Sequence, residues 1–241
     1  MALITAAKVI SKALTNQNVD THLIKDSFIE IAELNFIKPA IGEDLYRLIN
    51  EEKNNGTVWS YTKNDCIVTS DSKTITCSAS TSIKVGDFIS GTGIPLGKDN
   101  GDGELCRVET VNVPGAVTSF TISGTPTAGD GATGIPLYFK TPNGKLVEDY
   151  IENYLAFCVK FEILPDMTYN TTSQGVVENV ADFTVPVDSK KLSFLRNETY
   201  KKSETYLLKM TQFLDDNSEA FPDYCNENLG GVSKKNGIIL Y

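Results

Sequence analysis

The most constraining feature of this chain is a change of period along its length. Up to Lys53 apolar residues recur every three or four positions, from Thr57 to Thr141 they alternate with polar ones, and from Pro142 the helical spacing returns. A helix repeats about every 3.6 residues and a strand every two, so one stretch cannot serve both patterns. Asn54-Asn55-Gly56 is a helix stop on the left of the change, and Pro142 is a helix start on its right. The chain is therefore predicted to be α+β. A helical domain of about four helices, residues 1–56 and 142–223, carries an inserted all-β domain at 57–141, a small sandwich or barrel. Residues 224–241 are predicted to form an extended C-terminal arm. The two ends of the insert must then lie close together.

The first helix is expected to begin at Asp20 or Thr21, with Asp20 as its cap and Leu23, Ile24, Ser27, Phe28, Ile31 and Leu34 as its buried stripe. Pro39 stops or restarts it. A second helix, about Pro39 to Lys53, buries Ile41, Leu45, Leu48 and Ile49. A third runs from Pro142 to Leu164 with Leu146, Val147, Tyr150, Ile151, Tyr154, Cys158 and Phe161 on one face. Polar residues around Ser173–Val177 read as a loop. A last helix from about Asp188 presents Leu192, Leu195, Thr199, Tyr206, Met210 and Phe213. Within the insert, strands are expected around Cys66, Ile75, Phe88, Val108, Phe120 and Leu137, separated by Gly and Asn-Gly turns.

Charge and cysteine content narrow the function. The formal net charge is -9, and both helical parts and the insert each carry more acidic than basic groups. A tight DNA-binding patch needs clustered Lys and Arg, and none is legible, while an acidic surface suits a channel that DNA crosses without sticking. The opening residues contain no uninterrupted apolar run of the length a signal peptide needs, and no stretch is long and apolar enough for a membrane helix. Five cysteines at irregular spacing, in a chain with no expected signal, point to reduced thiols; Cys66 and Cys77 flank a hairpin as a cross-strand pair, and Cys158 sits on an apolar stripe.

Catalytic chemistry is hard to assemble from these residues. The single histidine, His22, has no GxSxG serine to serve, and it reads as a surface or subunit-contact residue. No phosphate-binding loop of the GxxxxGK[ST] kind is present, and no Cys or His spacing suits zinc. Gly91-Thr92-Gly93-Ile94-Pro95-Leu96-Gly97 does not lead into a helix and reads as a turn. Asp99-Asn100-Gly101-Asp102-Gly103-Glu104 offers calcium-type oxygens but departs from the calcium-loop template at its third position, so it reads as an acidic hairpin tip. Glu51-Glu52 and Asp215-Asp216 fall at helix ends. No enzyme activity, cofactor or metal is expected.

One pattern carries further. Phe28-Ile29-Glu30-Ile31-Ala32-Glu33 followed by Phe36-Ile37-Lys38-Pro39-Ala40-Ile41-Gly42-Glu43-Asp44-Leu45-Tyr46 resembles the opening helices of phage head–tail connector (adaptor) proteins, closest to the ring proteins of crAss-like short-tailed phages. In that family a long helix and a short loop with a Gly-Val pair follow, matched here by Leu146–Leu164 and Gly175-Val176. Val85-Gly86-Asp87-Phe88-Ile89-Ser90-Gly91-Thr92-Gly93-Ile94-Pro95 is similar to a β-module of phage virion proteins. The resemblance implies a structural virion protein, assembled in the host cytoplasm and located at the portal vertex. It implies a homo-oligomeric ring of about twelve copies below the portal protein, in contact with other tail or ring proteins, with double-stranded DNA passing non-specifically through its lumen and no membrane partner. Ile238, Ile239, Leu240 and Tyr241 then read as a partner-binding tip on the arm, or as a plug folded back on the subunit. Rival readings are a capsid or tail decoration module that binds through the β-insert, a tail-completion or stopper protein, and a hydrolase.

Overall fold

The computed structural model describes residues 2–14, 20–95, 106–126, 132–172, 175–178 and 189–224. The chain separates into two compact units at Asn55/Gly56 and again at Lys145/Leu146, one unit drawn from both chain ends and one lying between those cuts in sequence.

The middle unit holds β1 (Ser60–Val68), β2 (Thr74–Ser80), β3 (Phe88–Gly91), β4 (Cys106–Val111), β5 (Val117–Ile122) and β6 (Ala132–Lys140). They close into an antiparallel barrel in the order β1-β2-β5-β4-β3-β6. β3, β4 and β5 form a meander and β6 returns beside β3, a Greek key. Alternation puts Cys66, Val68, Ile75, Ile89, Val108, Phe120, Ile122, Leu137 and Phe139 into one buried interior. Closure leaves no strand edge to be covered. Tyr61 stacks on Phe139 with ring centroids 5.0 Å apart, and Phe120 meets Phe139 edge-on at 5.7 Å. The first and last strands pair with each other, Ser60 opposite Lys140, and Thr141 N donates to Trp59 O at 2.8 Å. Thr141 leads into one helical turn, Pro142–Lys145, which is α5 because four helices of the other unit precede it in the chain.

In the other unit those four helices are α1 (Ala6–Ala13), α2 (Asp26–Ala32), α3 (Lys38–Ile41) and α4 (Glu43–Asn54). Beyond α5 come α6 (Glu152–Thr168), the hairpin β7 (Tyr169–Thr172) and β8 (Gly175–Glu178), and α7 (Ser189–Asp216). α6 is the hub. Glu152, Tyr154, Leu155, Ala156, Cys158, Val159 and Ile163 are all buried, a broad arc wider than one stripe, and Asn153, Phe157, Lys160, Phe161 and Leu164 on the remaining arc are half-buried. α1, α2 and α7 each pack on it. Aromatic pairs weld α7 to this region: Tyr150 on Phe213 at 4.3 Å, Phe157 on Tyr206 at 5.3 Å and Phe161 against Tyr200 at 5.9 Å.

The expected fold of about four helices with a sandwich or barrel is corrected by this arrangement. The described residues form a mixed α+β chain with a closed six-stranded barrel and seven α-helical segments. α1 was not anticipated; Thr5 caps it through Lys8 N, and Val9, Ile10 and Ala13 bury its inner side. Asp20 caps only the single turn Thr21–Leu23, and α2 starts later, at Asp26. Pro39 falls in the first turn of α3, so α-helix restarts there as expected, in a place where a missing N–H costs nothing. A π-helical turn, Glu33–Ile37, precedes it, and Lys38 N reaches back to Glu33 O, which shifts the hydrogen-bond register just where proline lacks a donor. The break falls at Gly42, whose φ of 86° is open to glycine and costly for other residues. The third helix likewise contains a π turn, Leu146–Ile151, and runs past Pro165 to Thr168. The segment read as a loop near Gly175 pairs as β7–β8, with Thr172 opposite Gly175.

Candidate interaction surfaces

Most ionisable side chains in the interior are committed to holding backbone in place. Glu33 is buried; one carboxylate oxygen accepts from Leu3 N and the other from Tyr46 OH at 3.1 Å. Burial raises the Glu33 carboxyl above its ordinary range and, with Glu33 alongside, pushes the Tyr46 phenol up to about 12. Lys53 donates to Ala2 O, and burial lowers its ammonium. Glu152, also buried, is ion-paired with Lys8 and Lys12. Lys12 donates to Asn153 Oδ1 at 2.8 Å, and Lys160 to Ala13 O at 2.9 Å. Together these contacts tie α1 and the residues before it to α2, α4 and α6. A buried carboxylate already accepting from an amide and a phenol is an anchor for chain, with its lone pairs engaged.

The barrel has its own anchor in Asp87. Asp87 is 1% exposed, and its Oδ2 accepts from Lys84 N and from Tyr61 OH, each at 2.9 Å. Desolvation raises its carboxyl above the usual value. The Val-Gly-Asp-Phe-Ile-Ser-Gly run is thereby explained as a turn followed by β3: Gly86 takes a φ of 91°, Gly86 N donates to Val108 O, and Asp87 O accepts from Val108 N. Sequence reasoning missed Asp87 and Glu33. The signal for Asp87 was an acid between two glycine-bearing turns in an otherwise apolar run.

The thiols are packing groups. Burial pushes Cys66 up to about 12 and raises Cys77, and the two share a hydrogen bond across β1 and β2. Cys158 is raised by burial as well. Thiols held protonated are poor nucleophiles and poor ligands. His22 is exposed in the Thr21–Leu23 turn. Among the described residues no group of three or more His, Cys, Asp or Glu is placed to hold a metal ion, and no helix is long and apolar enough to cross a membrane. The acidic stretch Asp99–Glu104, part of the glycine-rich run before it, and the tip Ile238, Ile239, Leu240 and Tyr241 lie outside the described residues.

What the structure does place outward is apolar surface. The stripe expected along α2 and its flanks is only partly buried. Ile24 is buried and Phe28 half-buried, with Ile29, Ala32 and Ile37 also buried, while Leu23 in the turn ahead of α2, Ile31 on α2 and Leu34 in the π turn after it are 52%, 44% and 53% exposed. The helix is apolar on two sides, and contact with α6 selects the side that periodicity ranks second. Asp26 and Glu30 edge the exposed row. On α7 the outer side is mostly polar and carries two large apolar residues. Thr199, Ser203, Met210, Phe213 and Leu214 are buried, whereas Lys190, Phe194, Asn197, Lys201, Thr205 and Leu208 recur at helical spacing on the opposite, exposed side. Phe194 is 64% and Leu208 67% exposed, and Leu195, expected in the core, is 44% exposed beside them.

The barrel offers a different surface. Ser60, Thr62, Phe88, Ser90, Tyr138 and Lys140 share the outer side of β1, β6 and β3 and line a depression of about 260 Å³. Tyr138, expected at a strand-interior position, is 54% exposed there. Phe88 lies buried under Arg107, whose guanidinium sits 4.9 Å from the ring centre.

Residues 127–233 match the profile of a family described as being of unknown function (DUF6712). No curated protein and no solved structure matches the chain.

Proposed function

We propose that this chain is a structural subunit of a phage virion, forming a ring below the portal that joins head to tail and lets DNA pass. The observation that carries the reading is the exposure of large apolar side chains at separate places on the helical unit: Ile31 on α2 with Leu34 just after it and Leu23 just before it, and Phe194, Leu195 and Leu208 on α7. A closed ring repeats a heterologous contact, so each subunit needs two different complementary surfaces. Exposed apolar residues that stand together, as Ile31 does with Leu34 and Phe194 with Leu195, are the kind of surface that association covers. The resemblance of Phe28–Tyr46 to connector proteins supports the same reading, with Gly42 supplying the sharp turn in that motif. Native mass spectrometry of the full chain, alone and with a portal ring, should show a species of about twelve copies. A chain that remains monomeric under both conditions would contradict the proposal.

Tyr138 favours a second reading, a capsid or tail decoration module that binds through the barrel. An exposed phenol among Ser60, Thr62 and Ser90 suits stacking on a sugar ring with hydroxyls alongside. A glycan array probed with wild type and Tyr138→Ala separates the two. Binding lost in the variant supports the module, and an array with no binding removes it.

A further inference from the structure

Cys66 and Cys77 stand opposite each other where the barrel has its fewest backbone pairs. β1 and β2 are held by one register pair, Ile67 opposite Thr76, whereas β1 and β6 pair from Ser60–Lys140 to Val68–Ala132. Antiparallel pairing sets Cys66 against Cys77 one step along from Ile67–Thr76. One step further Asp65 meets Ser78, where Ser78 N donates to Asp65 Oδ2 at 3.1 Å and Lys63 Nζ to Ser78 Oγ at 2.8 Å. The cysteine pair is thus fixed from both sides. Alternation turns both side chains inward: Cys66 is buried in the interior cluster, and the half-buried Cys77 packs against it. Directly opposed residues of an antiparallel pair have Cα atoms about 4.5–5.5 Å apart, within the span that a disulfide bridges. The two thiols already share a hydrogen bond. Their contacts to Lys63 O at 3.9 Å and to Val117 O at 3.8 Å are long and weak, so a cross-link sacrifices little.

We infer that Cys66 and Cys77 form a redox modification site, which a small disulfide such as oxidised glutathione converts into a cross-strand bond stapling β1 to β2. Cys77, the more exposed of the two, loses its proton to water and attacks one sulfur of the glutathione disulfide. A mixed disulfide forms and one glutathione thiolate leaves. Cys66 then loses its proton, attacks Cys77 Sγ and expels the second glutathione. The protein gives up two S–H bonds and gains one S–S bond; the glutathione disulfide is reduced to two thiols. Burial keeps both cysteines protonated, which makes the first step slow, but the resolving sulfur is already in place once Cys77 has reacted. The other described cysteines are placed elsewhere: Cys106 Sγ lies 2.9 Å from Pro95 O, and Cys158 belongs to the helical unit. Closing a short loop across the seam with fewest backbone pairs removes freedom from the unfolded barrel. Reducing surroundings hold such a pair open and oxidising ones close it, so the barrel stiffens on leaving a reducing cytosol. The cross-link lies within one barrel and is independent of assembly.

The test uses the full chain, reduced, desalted and exposed to oxidised glutathione at neutral pH. Its intact mass should fall by two hydrogens, and a non-reducing digest should yield a peptide pair joined through Cys66 and Cys77. The melting temperature of the barrel should rise by about 10 °C and return when dithiothreitol is added. Cys77→Ala, treated in the same way, should show neither the loss of mass nor the rise. If that variant does not fold, the digest of wild type decides alone. Free thiols at both positions after treatment overturn the inference. So does a lasting glutathione adduct on Cys77 with Cys66 still free, or a bond from either to Cys106, Cys158 or Cys225. A Cys66–Cys77 bond that leaves the melting temperature unchanged or lowers it would also overturn it, because the bond would then not staple the barrel. An equal rise in Cys77→Ala would assign the effect to another cysteine, with the same result.

Discussion

The barrel and the helical unit bury apolar surface by different rules, and the difference decides what can be read from sequence. In the barrel the inward residues of the strands, from Cys66 to Phe139, form a single cluster, and Phe88 is buried separately on the outer side under Arg107. Of its exposed apolar residues, Val58, Val85 and Val113 lie in turns and ends, and Tyr138 stands on the outer side of β6. In the helical unit an apolar stripe and the core are different things. α6 is buried over a broad arc and half-buried over the rest, whereas α2 and α7 each bury one side and expose a few large apolar residues on the other. A period-two pattern admits only two faces, and closing the barrel selects one for all strands together. A helix presents its surface continuously, and its neighbours decide which arc is used.

The largest effect should come from breaking the barrel and reading the helices. Phe139 is fully buried and touches both Tyr61 and Phe120, so Phe139→Ala should cost the barrel about 3–5 kcal/mol. If the two units differ in the way described, the helical transition followed at 222 nm (about the usual helix wavelength) stays in place. Replacing residues 57–141 by a short Gly-Ser linker asks the same question more severely. The pairing of Ser60 with Lys140 means the linker has little distance to span. A helical unit that melts with the barrel in either protein would show one cooperative body and dissolve the contrast.

A smaller effect should distinguish tight from loose joints. A Cβ on Gly144 would lie 2.6 Å from both Cβ and O of Trp59, a clash with backbone that cannot swing away. Gly144→Ala should therefore cost about 1–3 kcal/mol by overpacking. Gly56, with nothing within 4 Å of its would-be Cβ but a φ of 69°, should lose less on the same change, about 1 kcal/mol, from backbone strain alone. Thermal melts of both variants rank the two. Equal losses would mean that the Trp59 contact relaxes at no cost.

Against those expectations, what was legible is physically sorted. Six alternating runs fell on the six strands because side-chain period two survives any register, while sandwich against barrel was undecidable until β1 and β6 were seen to pair. Gly42 was legible as a turn, but the π turn that carries the helix through Pro39 was not, since it depends on where Glu33 O sits. α1 is only eight residues long, too short to display a full stripe, and its place is set by Glu33, Lys53 and Glu152 far away in sequence. On α7 the expected stripe holds, with Thr199, Met210 and Phe213 buried and only Leu195 exposed, whereas Leu23, Ile31 and Leu34 were assigned to a buried stripe and lie outside. Only packing on α6 could say otherwise.

The smallest predicted effect sharpens the comparison through one buried carboxyl in each unit. Asp87 in the barrel and Glu33 among the helices both have carboxyls raised above their ordinary values of 3.8 and 4.5, with burial the largest cause in each case. A group whose folded pKa lies above its unfolded one binds its proton more readily in the folded chain. Its contribution is therefore fully favourable below the unfolded value and is lost as pH rises through the folded value. On acidification from neutrality each unit should gain stability from its own carboxyl, levelling off near the unfolded values. Asp87→Asn keeps an oxygen to accept from Lys84 N but removes the titration, so the barrel transition of the variant should rise less between pH 7 and pH 4 (about the unfolded range) than that of wild type. Glu33→Gln should do the same for the helical transition and leave the barrel alone. The difference between wild type and variant isolates each group from the remaining acids. Parallel pH profiles for wild type and variant in the matching unit would show that burial does not govern that carboxyl, and a crossed effect, one unit responding to the other's substitution, would again join what the packing separates.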